Sequence, residues 1–181
     1  MDICKLKFTI LQQEITRFLF IKAGMSFNER RLAKHLEVSP TAISKSLKRL
    51  EEEKLITVKK DKESKRLSIE LNRNNKSVFY FKRAENLKMI YESGLVDYLA
   101  NTFPESAIIL FGSYSFGEDT LNSDIDIAII GSKQRDVNLE KFAKLLERKI
   151  SLNFYQNFTQ IDKHLKENIF NGIVLKGAVQ L

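Results

Sequence analysis

The sequence predicts an α+β chain in two parts, a helical N-terminal part closed by a β-hairpin and a C-terminal part in which apolar strands alternate with helices. Three observations predict it. Apolar residues recur at three- and four-residue spacing from Phe8 to Leu50. Two segments of alternating character then flank the polar stretch Lys60–Lys65. Two short apolar runs, Ala107–Phe111 and Ile127–Ile130, stand on either side of a glycine- and acid-containing turn.

Each element has its own justification. Phe8, Leu11, Ile15, Phe18 and Leu19 define an amphipathic helix over 8–22, which Gly24 ends. Asn28 suits the cap of a second helix, Glu29–Leu36, with Leu32, Ala33 and Leu36 inward. Ser39 suits a third N-cap and Pro40 the first helical position, for a helix running to about Glu53 with Ile43, Leu47 and Leu50 buried. Leu55–Lys59 and Arg66–Leu71 read as the hairpin strands. Residues 76–101 read as a further helical region carrying Val78, Phe79, Phe81, Leu87, Ile90, Tyr91, Leu95, Tyr98 and Leu99; core packing is the favoured reading of these, and an exposed aromatic stripe serving a dimer is the alternative. Leu139–Lys149 is an amphipathic helix, Ile150–Tyr155 a strand and Gln160–Phe170 a last helix.

Composition bounds the rest. With 43% hydrophobic and 29% charged residues over 181 positions, the chain can bury a core. The lone cysteine, Cys4, excludes an internal disulfide framework and a multi-cysteine zinc site, and fits a reducing, cytoplasmic setting. The longest apolar runs are too short to span a bilayer, and the first 17 residues lack the apolar core of a secretory signal, so no membrane partner is expected. His35 has no second ligand nearby and reads as a packing or surface residue.

The net charge of +7 is segregated. Residues 1–75 hold 17 Lys/Arg against 10 Asp/Glu, whereas residues 102–181 hold 9 against 10. A segregated basic excess points to a polyanion partner for the N-terminal part, although a merely soluble basic surface would look the same by charge alone. On the third helix the outward positions are Thr41, Ala42, Ser44, Lys45, Lys48 and Arg49, with Ser39 at the cap; these small, hydroxylic or cationic groups suit approach to base edges and phosphates in a major groove. Lys59, Lys60, Lys62, Lys65 and Arg66 at the hairpin are placed to reach backbone phosphate or the minor groove, and Glu51, Glu52 and Glu53 are expected to face away from DNA or lie beyond the contact zone. Helix, helix, short turn, helix and charged hairpin resemble a winged helix-turn-helix. Residues 31–56 are similar to the winged-helix regulators of the MarR kind, a resemblance covering about residues 8–72. It implies double-stranded DNA as a partner and, for palindromic half-sites, a homodimer.

Residues 106–130 carry the chemistry. An apolar strand runs into Gly112-Ser113, and ten residues later Asp124-Ile125-Asp126 opens a second. Gly112 lets backbone approach a phosphate, Ser113 adds a hydroxyl, and a helix starting there would offer free N–H groups to an anion. Two carboxylates at an Asp-x-Asp on a strand point to one face about 7 Å apart, where they can share divalent cations. Ser123 and Gly117 fit the tight loop between the halves. This set resembles the nucleotidyltransferase superfamily of DNA polymerase beta, in particular its small prokaryotic members, over about residues 88–181. The resemblance implies a small α/β fold with a mixed sheet, Gly112, Ser113 and Ser123 as nucleotide-binding residues, Asp124 and Asp126 as catalytic and metal-binding residues, and Mg²⁺ (or Mn²⁺) with a nucleoside triphosphate as ligand or substrate. Active members also carry a third carboxylate on a later strand. The matching position here reads as Asn153, which has no charge and takes no proton, and neither Asp162 nor Glu147 is a convincing substitute.

The expected organisation is therefore a winged helix-turn-helix over 1–75, a helical linker over 76–101 and a nucleotidyltransferase-like domain over 102–181. The expected function is a DNA-binding transcriptional regulator carrying a domain that binds nucleotide and Mg²⁺. The alternative is an active nucleotidyltransferase that moves a nucleotidyl group to a hydroxyl of a protein or small molecule. An interaction scaffold is a third reading, favoured only if neither DNA nor nucleotide binds.

Overall fold

A computed structural model describes residues 8–60 and 67–179. The chain divides into two compact units, the division falling after Val78.

The first unit holds α1 (Ile10–Ile21), α2 (Glu29–His35), α3 (Pro40–Glu52), β1 (Ile56–Lys60) and β2 (Leu67–Leu71). Every helix starts where a side chain can take an orphan N–H. Thr9 and Gln12 form a reciprocal capping box on α1, Asn28 Oδ1 accepts from Arg31 N at 2.9 Å, and Ser39 Oγ accepts from Ala42 N at 3.2 Å. The strands pair antiparallel, Ile56 opposite Leu71 and Lys60 opposite Leu67, and a bridge from Phe27 to Ile69 adds a third short rung. Ile15, Leu19, Leu32, Ile43, Leu50 and Ile69 are fully buried at its centre. His35 is exposed and packs its ring against Phe18, ring centroids 5.1 Å apart.

The second unit contains most of α4 (Lys76–Glu92), then α5 (Leu95–Thr102), β3 (Ala107–Phe111), α6 (Gly112–Phe116), β4 (Ile125–Ile130), α7 (Glu140–Leu146), β5 (Ile150–Tyr155), a single 3-10 turn (Phe158–Gln160), α8 (Lys163–Phe170) and β6 (Ile173–Lys176). Its sheet is mixed, in the order β5-β4-β3-β6: β3 is antiparallel to β4 and β6, and β4 is parallel to β5. All five residues of β3 are buried, which its unbroken apolar run requires of a central strand covered on both faces. One face carries Ile108, Leu110, Ile125, Ile127 and Ile129 with α5 and α7; the other carries Ile109, Phe111, Ala128 and Ile130 with α8.

One packing detail is not legible as a helix pattern. The inward stripe of α4 is Val78, Lys82, Asn86 and Ile90, while Tyr80, Phe81 and Tyr91 are exposed. Of the aromatic residues expected to pack, Phe81 and Tyr91 thus face out. Among the described residues no helix is long and apolar enough to cross a membrane.

Candidate functional site

The Asp-x-Asp lies where β4 begins, and its surroundings are fixed by strand pairing. Asp126 pairs with Phe111 on β3 and with Ser151 on β5. The chain leaves β3 at Gly112, whose φ of 72° is left-handed. A Cβ at Gly112 would stand 2.7 Å from Asp126 Oδ2. Glycine is therefore required twice, by its backbone angle and by the carboxylate packed against it. The α6 helix that follows has only five residues, too short to build much of an end charge, so the backbone opening at Gly112 and the Ser113 side chain carry what remains of the expected phosphate cradle. Ser113 is half-buried and its hydroxyl has no hydrogen-bond partner among the described residues. Ser115 Oγ instead donates to Gly112 O at 2.8 Å, and Ser123 Oγ accepts from Thr120 N at 3.0 Å, closing the turn before Asp124.

The two carboxylates differ in environment. Lys149 Nζ and Ser151 Oγ donate to Asp124 Oδ2, at 3.1 and 3.0 Å, and hold its carboxyl below the usual range. Asp126 is half-buried, and burial, then the neighbouring Asp124 charge, push its carboxyl up. A carboxylate that is partly desolvated beside a like charge favours a cation in front of it. The free lone pairs of Asp124 together with Asp126 form an all-oxygen donor set suited to one hard divalent cation. Among the described residues no third His, Cys, Asp or Glu joins them. Asp124 also opens onto a groove of about 480 Å³ bordered by Asn122, Ser123, Glu147 and Lys149.

The register corrects one expectation. Asn153 pairs with Ala128, one pleat repeat beyond the carboxylates, and Ser151 is the β5 residue beside them. Asp162 instead accepts from Leu165 N as the cap of α8, and Glu147, at the C-cap of α7, forms no three-acid cluster with Asp124 and Asp126 among the described residues.

Behind this edge lies a buried ionic cluster that the sequence pattern does not reveal. Asp119 is 1% exposed and receives Lys82 Nζ, Asn86 Nδ2 at 2.8 Å and Arg148 Nη2 at 3.4 Å. Asn86 Nδ2 also donates to Tyr114 O at 2.9 Å, and Lys82 sits 5.9 Å from the Tyr114 ring centroid. Gly117, at φ 76°, packs so closely on α4 that a Cβ would come within 2.3 Å of Phe79 O. The Gly112–Asp119 segment is thereby clamped to α4 at its far end while its near end presents Gly112 and Ser113.

On α3 the exposed face carries Thr41, Ser44, Lys45 and Lys48 at helical spacing, above a buried stripe of Ile43, Ser46, Leu47 and Leu50. Ser39 spends its hydroxyl on the cap. Arg49 is exposed and its guanidinium meets Glu53, at the C-cap of the helix, at 2.6 Å. Lys60 is exposed at the end of β1; Lys62, Lys65 and Arg66 lie outside the described residues.

The two surfaces fall in two separate family matches. Residues 22–68 match the model of the MarR family, and residues 93–179 match Polymerase beta, Nucleotidyltransferase. Similar solved structures include ZitR from Lactococcus lactis, 21% identical over 55% of this chain and 64% of that chain with a TM-score of 0.42. A second ZitR structure, in complex with DNA, is 26% identical over 54% and 63%, TM-score 0.37. The adhesin competence repressor AdcR from Streptococcus pyogenes is 20% identical over 56% and 72%, TM-score 0.39. The chain spans less than two thirds of the length of ZitR. No curated protein matches it. The chain is thus similar to the MarR family over its N-terminal part and to nucleotidyltransferases over its C-terminal part.

Proposed function

We propose that this chain is a DNA-binding transcriptional regulator whose nucleotidyltransferase-like domain binds a nucleoside triphosphate with Mg²⁺ or Mn²⁺. The observation that carries the nucleotide half is the half-buried Asp126 carboxylate, set beside Asp124 and against the bare Cα of Gly112. Asp124 and Asp126 would hold the cation, the Gly112 backbone and Ser113 hydroxyl would meet phosphate oxygens, and Ser123 would act through the turn it closes. The cation, when bound, supplies charge neutralisation for the triphosphate. DNA binding is supported by the basic excess of residues 1–75 and by the exposed Thr41, Ser44, Lys45 and Lys48 on one face of α3. In this reading residues 1–75 contact DNA, 76–101 join the parts and 102–181 take the nucleotide. Palindromic half-sites would call for a homodimer, and the setting would be the cytoplasm.

Transfer to a protein or small-molecule hydroxyl is the second reading. The Ser151 hydroxyl beside the carboxylates weighs against it, because a neutral hydroxyl adds no charge for a second cation and takes no proton from an acceptor at neutral pH. One experiment separates the readings. The full chain and Asp126→Ala are incubated with labelled ATP and Mg²⁺, alone and with duplex DNA at low salt. The expected result is reversible ATP retention by the wild-type chain only, no covalent label, and duplex binding that weakens with salt. Covalent label dependent on Asp126 would establish transfer. Absence of ATP retention in both forms, or duplex binding no stronger than that of a protein matched in Lys and Arg, would overturn the corresponding half.

A further inference from the structure

We propose that Lys149 is the second cation of the triphosphate site, so that the domain recognises a nucleoside triphosphate with one divalent ion and one tethered ammonium in place of two divalent ions. The inference rests on the nucleotide-binding reading above and specifies its recognition chemistry.

Strand pairing makes the arrangement. Ile125 N donates to Lys149 O at 2.8 Å, and Ile125 and Ile150 then pair in parallel register. That register sets Lys149 beside Asp124 and Ser151 beside Asp126. Both donors use the same oxygen, Asp124 Oδ2, and among the described residues no hydrogen-bond donor reaches Oδ1 or the Asp126 carboxylate. The ammonium and a divalent ion can therefore sit on different oxygens of the same pair of acids. With its side chain 76% exposed, Lys149 is also free to swing its ammonium from Asp124 toward a phosphate oxygen at small cost.

Charge makes the substitution reasonable. Three carboxylates holding two divalent ions present one net positive charge to a polyphosphate. Two carboxylates, one ammonium and one divalent ion present the same. A serine at 151 alone would leave two divalent ions poorly neutralised; a serine at 151 with a lysine at 149 restores the balance with a single ion. The neighbouring Arg148 cannot serve, since its guanidinium is buried on Asp119.

The test uses the full chain, labelled ATP and Mn²⁺, with binding read by filter retention and bound Mn²⁺ counted by electron paramagnetic resonance. Lys149→Met should weaken ATP by about tenfold or more at saturating Mn²⁺, the effect of removing one charge-assisted hydrogen bond to phosphate. The wild-type ternary complex should hold one Mn²⁺ at the protein. Lys149→Met with Ser151→Asp should recover ATP affinity and hold two. Circular dichroism checks that each variant folds. ATP binding by Lys149→Met at wild-type strength, or two Mn²⁺ in the wild-type complex, overturns the lysine's role while a loss in Asp126→Ala leaves the nucleotide site standing. ATP binding absent from the wild type and from every variant overturns the nucleotide reading itself, and this inference with it.

Discussion

Asp119→Asn removes one charge and almost no volume, so its cost measures what the buried cluster contributes. Asp119 and Lys82 are each 1% exposed and Arg148 is 5% exposed. The carboxylate accepts from both cations and from Asn86. The asparagine keeps one acceptor oxygen but turns an NH₂ toward groups that are themselves donors. Removing one partner of a buried ion pair typically costs about 3–5 kcal/mol, because the remaining charge stays desolvated. In a unit of about 100 residues each kcal/mol moves the midpoint by about 4–8 °C, so the transition of the second unit should fall by roughly 12–40 °C. Scanning calorimetry is the suitable assay, since the chain has two units and no tryptophan; the affected transition should be the one that Mg²⁺-ATP raises. Lys82→Met should cost less, because Asp119 keeps Arg148 and Asn86 while the methionine fills the stripe between Val78 and Ile90. A midpoint for Asp119→Asn within about 3 °C of wild type, well below the shift that burial implies, would refute the reasoning.

Three further outcomes follow from the same geometry. Gly112→Ala forces a Cβ to 2.7 Å from Asp126 Oδ2 at a left-handed backbone angle; it should abolish Mg²⁺-dependent ATP binding in a filter assay while costing only about 1–2 kcal/mol in thermal stability. Asp126→Asn should raise the midpoint without divalent ions and remove any stabilisation by them. The sign follows from the raised carboxyl: a group whose folded pKa exceeds its unfolded value costs stability once pH passes the unfolded value, and Mn²⁺ affinity in wild type should fall as pH drops toward that raised value, which titration calorimetry across the acidic range would detect. Lys45→Ala and Lys48→Ala should each weaken duplex binding regardless of sequence and flatten the log–log salt dependence by about 0.9 for each phosphate no longer neutralised, read by fluorescence anisotropy.

Where a local pattern decides structure, the sequence is transparent. Asn28 and Ser39 cap the helices they should, because a cap needs only a side-chain oxygen a few atoms from an N–H. The run from Ala107 to Asp126 yields strand, turn and strand because Gly112 and the apolar runs act within their own neighbourhood. Where distant partners decide, it is opaque. The inward face of α4 contains Lys82 and Asn86, whose burial makes sense only with Asp119, 37 residues from Lys82. Without that partner the polar stripe looks solvent-facing, and the aromatic residues Phe81 and Tyr91 look like the core. Asn153 is a natural choice for the third position because residues 151 and 153 project from the same face of β5. Alternation cannot choose between positions two apart; only the hydrogen bond from Ile125 N to Lys149 O, which sets the strand pairing, does so.

The dipeptide Arg148-Lys149 ties these two lessons together. As the chain enters β5, successive side chains leave on opposite sides. Arg148 turns inward to the buried Asp119, and Lys149 turns outward to Asp124 at the strand edge. Leu152 and Phe154 pack on the α5–α7 face and fix which side is which. A slip of one residue would, according to its direction, bring either Lys149 toward the buried carboxylate or Arg148 toward the acid pair, and would turn Leu152 and Phe154 out of their apolar layer. The packing of those partly buried side chains thus helps to secure the charge placed on Asp124 as it helps to secure the sheet. The cationic edge of the site is for that reason a consequence of core packing, and substitutions that loosen β5 should disturb ATP recognition before they disturb the first unit.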